Sequence, residues 1–176
     1  PWVVLPEGTG YVEGKLISET GEIVTDAPHA CFTVSTPACA CFSGTPAGQI
    51  ALGGLITVQP KNERITLTLL PERCRLLSDA KSFLLTAIGT TGMDGTTMTP
   101  AAEWNGIQLN LIHMQGKLFA DTLEGDLLVA CQTAALELLD TTGHVLATLQ
   151  GEKTAEGVRF HLDGSIPSVN YRLSIS

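Results

Sequence analysis

Aromatic residues are scarce in this 176-residue chain, at 5% of the total, and charged residues make up only 16%. Ten Lys and Arg stand against 18 Asp and Glu, which gives a net charge of −8. That balance leaves no basic face for nucleic acid and works against an anionic membrane surface, so neither is expected as a partner. Between residues 27 and 60 there is no Asp, Glu, Lys or Arg at all. Gly, Pro, Ser and Thr interrupt the stretch repeatedly, so it offers no apolar run near the ~20 residues that cross a bilayer. It reads instead as buried strands and their turns. Pro1–Pro6 has neither a basic n-region nor a cleavage pattern, so no signal peptide is expected there, and the segment reads as an internal junction.

Signatures of catalysis are equally sparse. The chain contains no GxSxG of a serine hydrolase and no HExxH of a zinc protease. The glycines from Gly89 to Gly95 lack the Lys and the following helix of a phosphate loop. Glycoside hydrolysis requires two carboxylates held across a cleft. Glu22, Glu103, Asp121 and Glu124 sit beside turns and read as solvated loop carboxylates. No catalytic residue and no cofactor is expected.

Five cysteines, Cys31, Cys39, Cys41, Cys74 and Cys131, leave one odd under any pairing. No CxxC pair or His-rich tract supplies the ligand spacing of a zinc site, so no metal is expected. Cys39 and Cys41, two apart on an expected strand, point to one face. The expectation is buried, reduced thiols that behave as small hydrophobes, which suits a reducing or anaerobic setting better than an oxidising one.

What the chain does have is alternation. Ile65, Leu67 and Leu69 alternate with Thr66 and Thr68; Val158, Phe160 and Leu162 with Arg159 and His161; Tyr171, Leu173 and Ile175 with Arg172 and Ser174. Period-two patterning with one polar face marks half-buried antiparallel strands. Gly, Pro, Asp and Asn clusters punctuate the strands, as at Glu19–Gly21, Ser43–Pro46, Asp94-Gly95, Thr142-Gly143 and Asp163-Gly164. Gly53-Gly54 inside an apolar run predicts a bulge or bend. Residues 133–140 suit helix by composition, but the Thr-Gly turn that follows favours a strand. The expected fold is an all-β, antiparallel, jelly-roll-like β-sandwich with little or no helix. Among the aromatics, Phe32, Phe42, Phe83, Phe160 and Tyr171 fall on strands and are expected in the core. Trp104, between Glu103 and Asn105-Gly106, is the one ring read in a polar loop, and Trp104, Glu103 and Asn105 are the candidate ligand-contacting residues.

Four segments in one order carry a family resemblance. Residues 82–93, SFLLTAIGTTGM, resemble a strand-and-loop element of the form S…LLTAxGRxxNTGM. Residues 18–23 resemble SDTGEI, residues 31–37 resemble GxFTVDTP, and residues 147–171 resemble a closing hairpin whose last strand is VNYRLSI. Together these are similar to the β-sandwich domains that lie C-terminal to the barrel in multidomain bacterial glycoside hydrolases, and they cover most of the chain from Lys15 onward. The departures are specific: residues 89–93 lack the Arg and Asn of the family element, and residues 34–37 lack its Asp.

The resemblance implies residues 1–14 as the junction with an upstream domain and residues 15–176 as a non-catalytic sandwich. It further implies an upstream catalytic domain of the same polypeptide as partner, a polysaccharide as a second partner, and a secreted or cell-surface location. In the family this region carries a loop tryptophan, for which contact with the catalytic domain is a ready role. Two readings from other classes stand beside it: a stand-alone jelly-roll enzyme with an unrecognised site, and an adhesive or envelope sandwich. The odd cysteine count yields a direct expectation. Thiol titration of denatured, unreduced protein finds most of the five cysteines free, and a disulfide from Cys39 or Cys41 contradicts it.

Overall fold

A computed structural model describes residues 7–176; Pro1–Pro6, and with them the signal-peptide and junction readings, lie outside the described residues. The first strands are β1 (Gly10–Val12), β2 (Lys15–Ile17), β3 (Ile23–Asp26), β4 (Cys31–Ser35) and β5 (Ala40–Gly44). They are followed by β6 (Ile50–Leu52), β7 (Ile56–Pro60), β8 (Ile65–Pro71) and, after a single 3₁₀ turn at Leu77–Asp79, β9 (Ser82–Ile88). The middle of the chain forms β10 (Thr91–Met93), β11 (Thr97–Trp104), β12 (Ile107–His113), β13 (Leu118–Ala120) and β14 (Glu124–Val129). The last are β15 (Ala134–Leu139), β16 (Val145–Gln150), β17 (Glu152–Thr154), β18 (Gly157–Asp163) and β19 (Asn170–Ile175).

Ten strands make one sheet in the order β1-β2-β3-β4-β5-β8-β9-β19-β15-β16, and five make a second in the order β17-β18-β14-β7-β6. The pairings within both sheets are antiparallel. The fold is therefore an all-β antiparallel sandwich. The alternation seen in sequence is its cause: Ile65, Leu67, Leu69, Val158, Phe160, Leu162, Tyr171 and Leu173 are all buried between the sheets. Residues 133–140 supply a strand, β15, and Gly53-Gly54 form the turn between β6 and β7. Buried Tyr171 donates its hydroxyl hydrogen to the Ser168 carbonyl oxygen at 2.7 Å, and burial pushes its pKa up to about 12.

The two sheets differ in width. Core side chains come from β5 to β9, β14, β15, β18 and β19; from β1 to β4 only Cys31 packs against that core. Strands β1 to β4 thus form a wing of the large sheet with no second layer over it. Phe32 shows the consequence. Expected in the core, it is 37% exposed, because β4 belongs to the wing and Phe32 pairs across to Ser43 on the outer face. Gly10–Val12, inside the segment expected as a junction, pair with β2 as the edge of this wing.

The cysteines also differ from expectation. All five are free thiols, but half-buried rather than fully buried. Burial, and then the neighbouring Cys41, raise the Cys39 thiol pKa. Cys41 faces outward, where its sulfur accepts a hydrogen bond from the Thr68 hydroxyl at 3.7 Å.

One glycine is dictated by close approach. Gly125, the second residue of β14, sits at φ 138°, and a Cβ there would run into the Gln59 carbonyl oxygen of β7. The layer model gives a sharp stability contrast. Leu127 lies at 0% exposure in the central strand of the small sheet, while Leu128 faces outward. Leu127→Ala is expected to cost about 2–5 kcal/mol in chemical denaturation, and Leu128→Ala well under half of that.

Candidate functional site

Between β9 and β14 the chain leaves both sheets of the sandwich over residues 91–120 and returns to the core at Leu123. Its two strands are clamped at the root, where the Gly89 N–H donates to the Asp121 carbonyl at 2.8 Å and the Asp121 N–H donates to that of Thr90 at 2.9 Å. Beyond the root, β10 pairs with β13 and β11 with β12, so residues 91–120 form one antiparallel ribbon. Between the two pairs the ribbon is tied by Asp94, whose carboxylate accepts from the Lys117 N–H at 2.7 Å and whose own N–H donates to the Lys117 carbonyl at 3.0 Å.

At the far end Asn105-Gly106 turn the chain with φ 49° and 77°. Two successive left-handed residues are what a two-residue hairpin turn with the sheet's twist requires, and Asn-Gly supplies them. At eight residues of about 3.3 Å each, β11 reaches roughly 26 Å along the ribbon.

Trp104 is the last residue of β11, not part of a loop, and it is 63% exposed. Its place follows from the Asn105-Gly106 turn, which pairs it with Ile107. Glu103 pairs with Gln108, on the opposite face. Of the three candidate ligand residues, then, Trp104 and Glu103 project to different sides of the ribbon, and Asn105 serves the turn. A bulge between Pro100 and Ala102 resets the alternation in β11. One face consequently carries Trp104, Ala102, Ile107, Leu109 and Leu111, with Thr99; the other carries Glu103, Gln108, Asn110, Met98 and Ile112. All residues of β11 and β12 are exposed. The three methionines of the chain, Met93, Met98 and Met114, all lie in this ribbon.

The sequence signal for the ribbon is present, as Asn-Gly followed by Ile107, Leu109 and Leu111 in alternation. Reading Trp104 as a loop residue missed it.

A second uncovered surface is the outer face of the wing. Register places Tyr11, Leu16, Thr25 and Phe32 in one row across β1 to β4, and Ile23 beside Val34 in the next. None of these side chains is charged, and Tyr11 is 73% exposed. On the inner face of the wing, Lys15 Nζ lies 2.9 Å from the Asp26 carboxylate, and His29 Nδ1 is also 2.9 Å from it. The Lys15 hydrogen bond, with those of His29, holds the Asp26 carboxyl below its ordinary range.

Polar networks elsewhere are small. Arg172 reaches Glu72 at 3.2 Å and Glu137 at 3.1 Å on the outer face of the large sheet. The Ser82 hydroxyl bond, then Arg172, lower the Glu72 pKa. His161 meets Asp126 at 2.8 Å on the outer face of the small sheet.

A concavity of about 500 Å³ is lined by the turns at residues 130–132 and 153–157, with Glu156 as its one carboxylate. Four further concavities among the described residues hold at most one carboxylate each, whereas glycosidic cleavage uses a facing pair. Among the described residues no group of three or more His, Cys, Asp or Glu is placed to hold a metal ion. No protein-family model, no curated protein and no solved structure matches this chain.

The turn between β15 and β16 carries the largest carboxylate perturbation. Asp140 accepts from the Thr142 hydroxyl at 2.7 Å and from the His144 N–H at 2.9 Å, which holds its pKa at about 2 against an ordinary 3.8. The fold therefore favours the charged form. The stabilisation is complete above pH 3.8 and is lost as pH falls through about 2. NMR titration of the Asp140 carboxyl should give a midpoint near 2, and Asp140→Asn should flatten the acid limb of the stability profile in that window.

Proposed function

We propose that this chain is a non-catalytic β-sandwich module of a polysaccharide-degrading glycoside hydrolase, working by docking on the catalytic domain of the same polypeptide. The observation that carries this reading is the wing. Four strands extend the large sheet past the small one and present Tyr11, Leu16, Ile23, Phe32 and Val34 without charge and without a covering layer. An antiparallel sheet ordinarily keeps one face dry, and a contiguous exposed apolar patch marks a contact surface. The wing also holds the first strands among the described residues, within and beside the segment read as the junction. A domain attached there meets this face at high effective concentration.

Docking is favoured over carbohydrate binding. A sugar ring is gripped by an aromatic face together with planar polar groups on the same side, whereas Trp104 and Glu103 face apart. The resembled family supplies the expectation of an upstream barrel, and its missing Arg, Asn and Asp loop residues shift the contact from loops to the sheet face.

Calorimetric titration of the chain with the separately expressed catalytic domain tests this. Binding is expected, and Phe32→Asp or Leu16→Asp should weaken it at least about tenfold, or ~1.4 kcal/mol, with the melting temperature little changed. Tight retention on a polysaccharide affinity gel with no affinity for the catalytic domain would refute the docking reading.

A further inference from the structure

We propose that the hollow at the root of the ribbon binds a carboxylated sugar, a uronate unit of an acidic polysaccharide. The hollow measures about 280 Å³ and is lined by Ser43, Arg64 and Thr66, with Gly89, Thr90 and Thr91 opposite. Ser43 and Thr66 stand on the outer face of the large sheet, since their strand neighbours Phe42, Ile65 and Leu67 point into the core. Pockets for larger ligands start near ~300 Å³ and are mostly apolar. This one is just under that size and presents four hydroxyls and a guanidinium, which suits a single polar ring.

The site is fixed from both sides. Asn62, two residues before Arg64, donates its side-chain amide to the Thr122 carbonyl at 2.9 Å, and its amide oxygen accepts from the Glu124 N–H at 3.0 Å. The reciprocal bonds among Gly89, Thr90 and Asp121 hold the opposite wall. The Ser43 and Thr66 hydroxyls lie 2.8 Å apart across β5 and β8. One hydrogen serves that bond, so the pair keeps a second hydrogen to donate and lone pairs to accept. A ring entering the hollow meets groups already in position, which lowers the ordering cost of binding.

Charge decides for an acid. Among the described residues Arg64 enters no ion pair, and no carboxylate lines the hollow. Much of the lining comes from two stretches without Asp, Glu, Lys or Arg, residues 27–60 and 82–93. The chain carries −8, but carboxylates beyond a Debye length of about 8 Å are screened. The planar fork of Arg64 matches a carboxylate with two parallel hydrogen bonds, and the hydroxyls match those of a ring. A neutral sugar leaves the guanidinium unused, and a simple anion leaves the hydroxyls unused. The preference for a hydroxylated carboxylate rests on the hollow alone; that the acid belongs to a polysaccharide rests on the function proposed above.

Amide NMR of the intact chain, titrated with sodium glucuronate to about 20 mM, reads the outcome. Saturable shifts centred on Thr66, Gly89, Thr90 and Thr91 are expected, with a dissociation constant of about 1 mM or below. Glucose, which lacks the carboxylate, and acetate, which lacks the hydroxyls, should each bind at least about tenfold more weakly. Arg64→Gln should weaken glucuronate at least about tenfold. Arg64 is exposed and outside the core, so this variant should keep the parent melting temperature.

Absence of saturable shifts overturns the proposal, as does glucuronate binding that ignores Arg64→Gln. Inorganic phosphate or acetate binding as tightly as glucuronate overturns it in favour of an unselective anion site, and glucose binding as tightly overturns the role of Arg64. Docking is read separately. Arg64→Gln should leave affinity for the catalytic domain unchanged, and Leu16→Asp should leave glucuronate binding unchanged, so failure of one reading is distinguishable from failure of the other.

Discussion

A five-stranded sheet covers a ten-stranded one only in part, leaving β1 to β4 bare, and this mismatch governs the molecule. Where the layers overlap, from β5 to β16, side chains such as Leu67, Leu85, Leu127 and Leu173 are sealed at 0% exposure. Where they do not, in β1 to β4, the same alternation of apolar residues produces a face that water wets. The fold does not fail there, because a sheet's backbone hydrogen bonds hold whether or not a second layer is present. What is lost is the burial that normally stabilises such strands, and a surface that has not received that burial internally is available to receive it from another domain.

The ribbon is the other product of the same economy. Between β9 and β14 the chain has no place in either sheet, so it pairs with itself and leaves the body. Its root is held by reciprocal backbone hydrogen bonds at Gly89, Thr90 and Asp121, and its tip by the backbone freedom of Asn105-Gly106. Neither end depends on a hydrophobic core. That explains how nine large apolar side chains can stand in solvent without costing the sandwich its integrity. The polar networks, by contrast, are structural in reach. Arg172 between Glu72 and Glu137 spans β19, β15 and the end of β8, and Asp140 closes a single turn.

The core was legible in the sequence because period-two alternation and burial have one cause in a sandwich. Ile65 to Leu69, Val158 to Leu162 and Tyr171 to Leu173 needed no tertiary information. Phe32 was misread for the complementary reason. Its strand has the same local pattern, but whether a face is covered depends on how many strands the opposing sheet has, and no local window contains that count. Trp104 was misplaced because its polar neighbours were read as a loop, while the Asn-Gly signal two residues long was given less weight than composition.

By itself the sequence determined the class of structure: apolar alternation, glycine-rich turns and an acidic, charge-poor surface leave little but antiparallel sheets. It also determined the turn at Asn105-Gly106, since only particular residues tolerate that backbone. Only the tertiary structure decided which alternating faces meet and which stay bare. That choice follows from long-range strand order, such as β19 lying between β9 and β15, in which residues nearly a hundred positions apart become neighbours. Sequence spacing carries no direct record of such pairings, so the wing, the ribbon and the sides of it on which Trp104 and Glu103 stand emerge only when the sheets assemble.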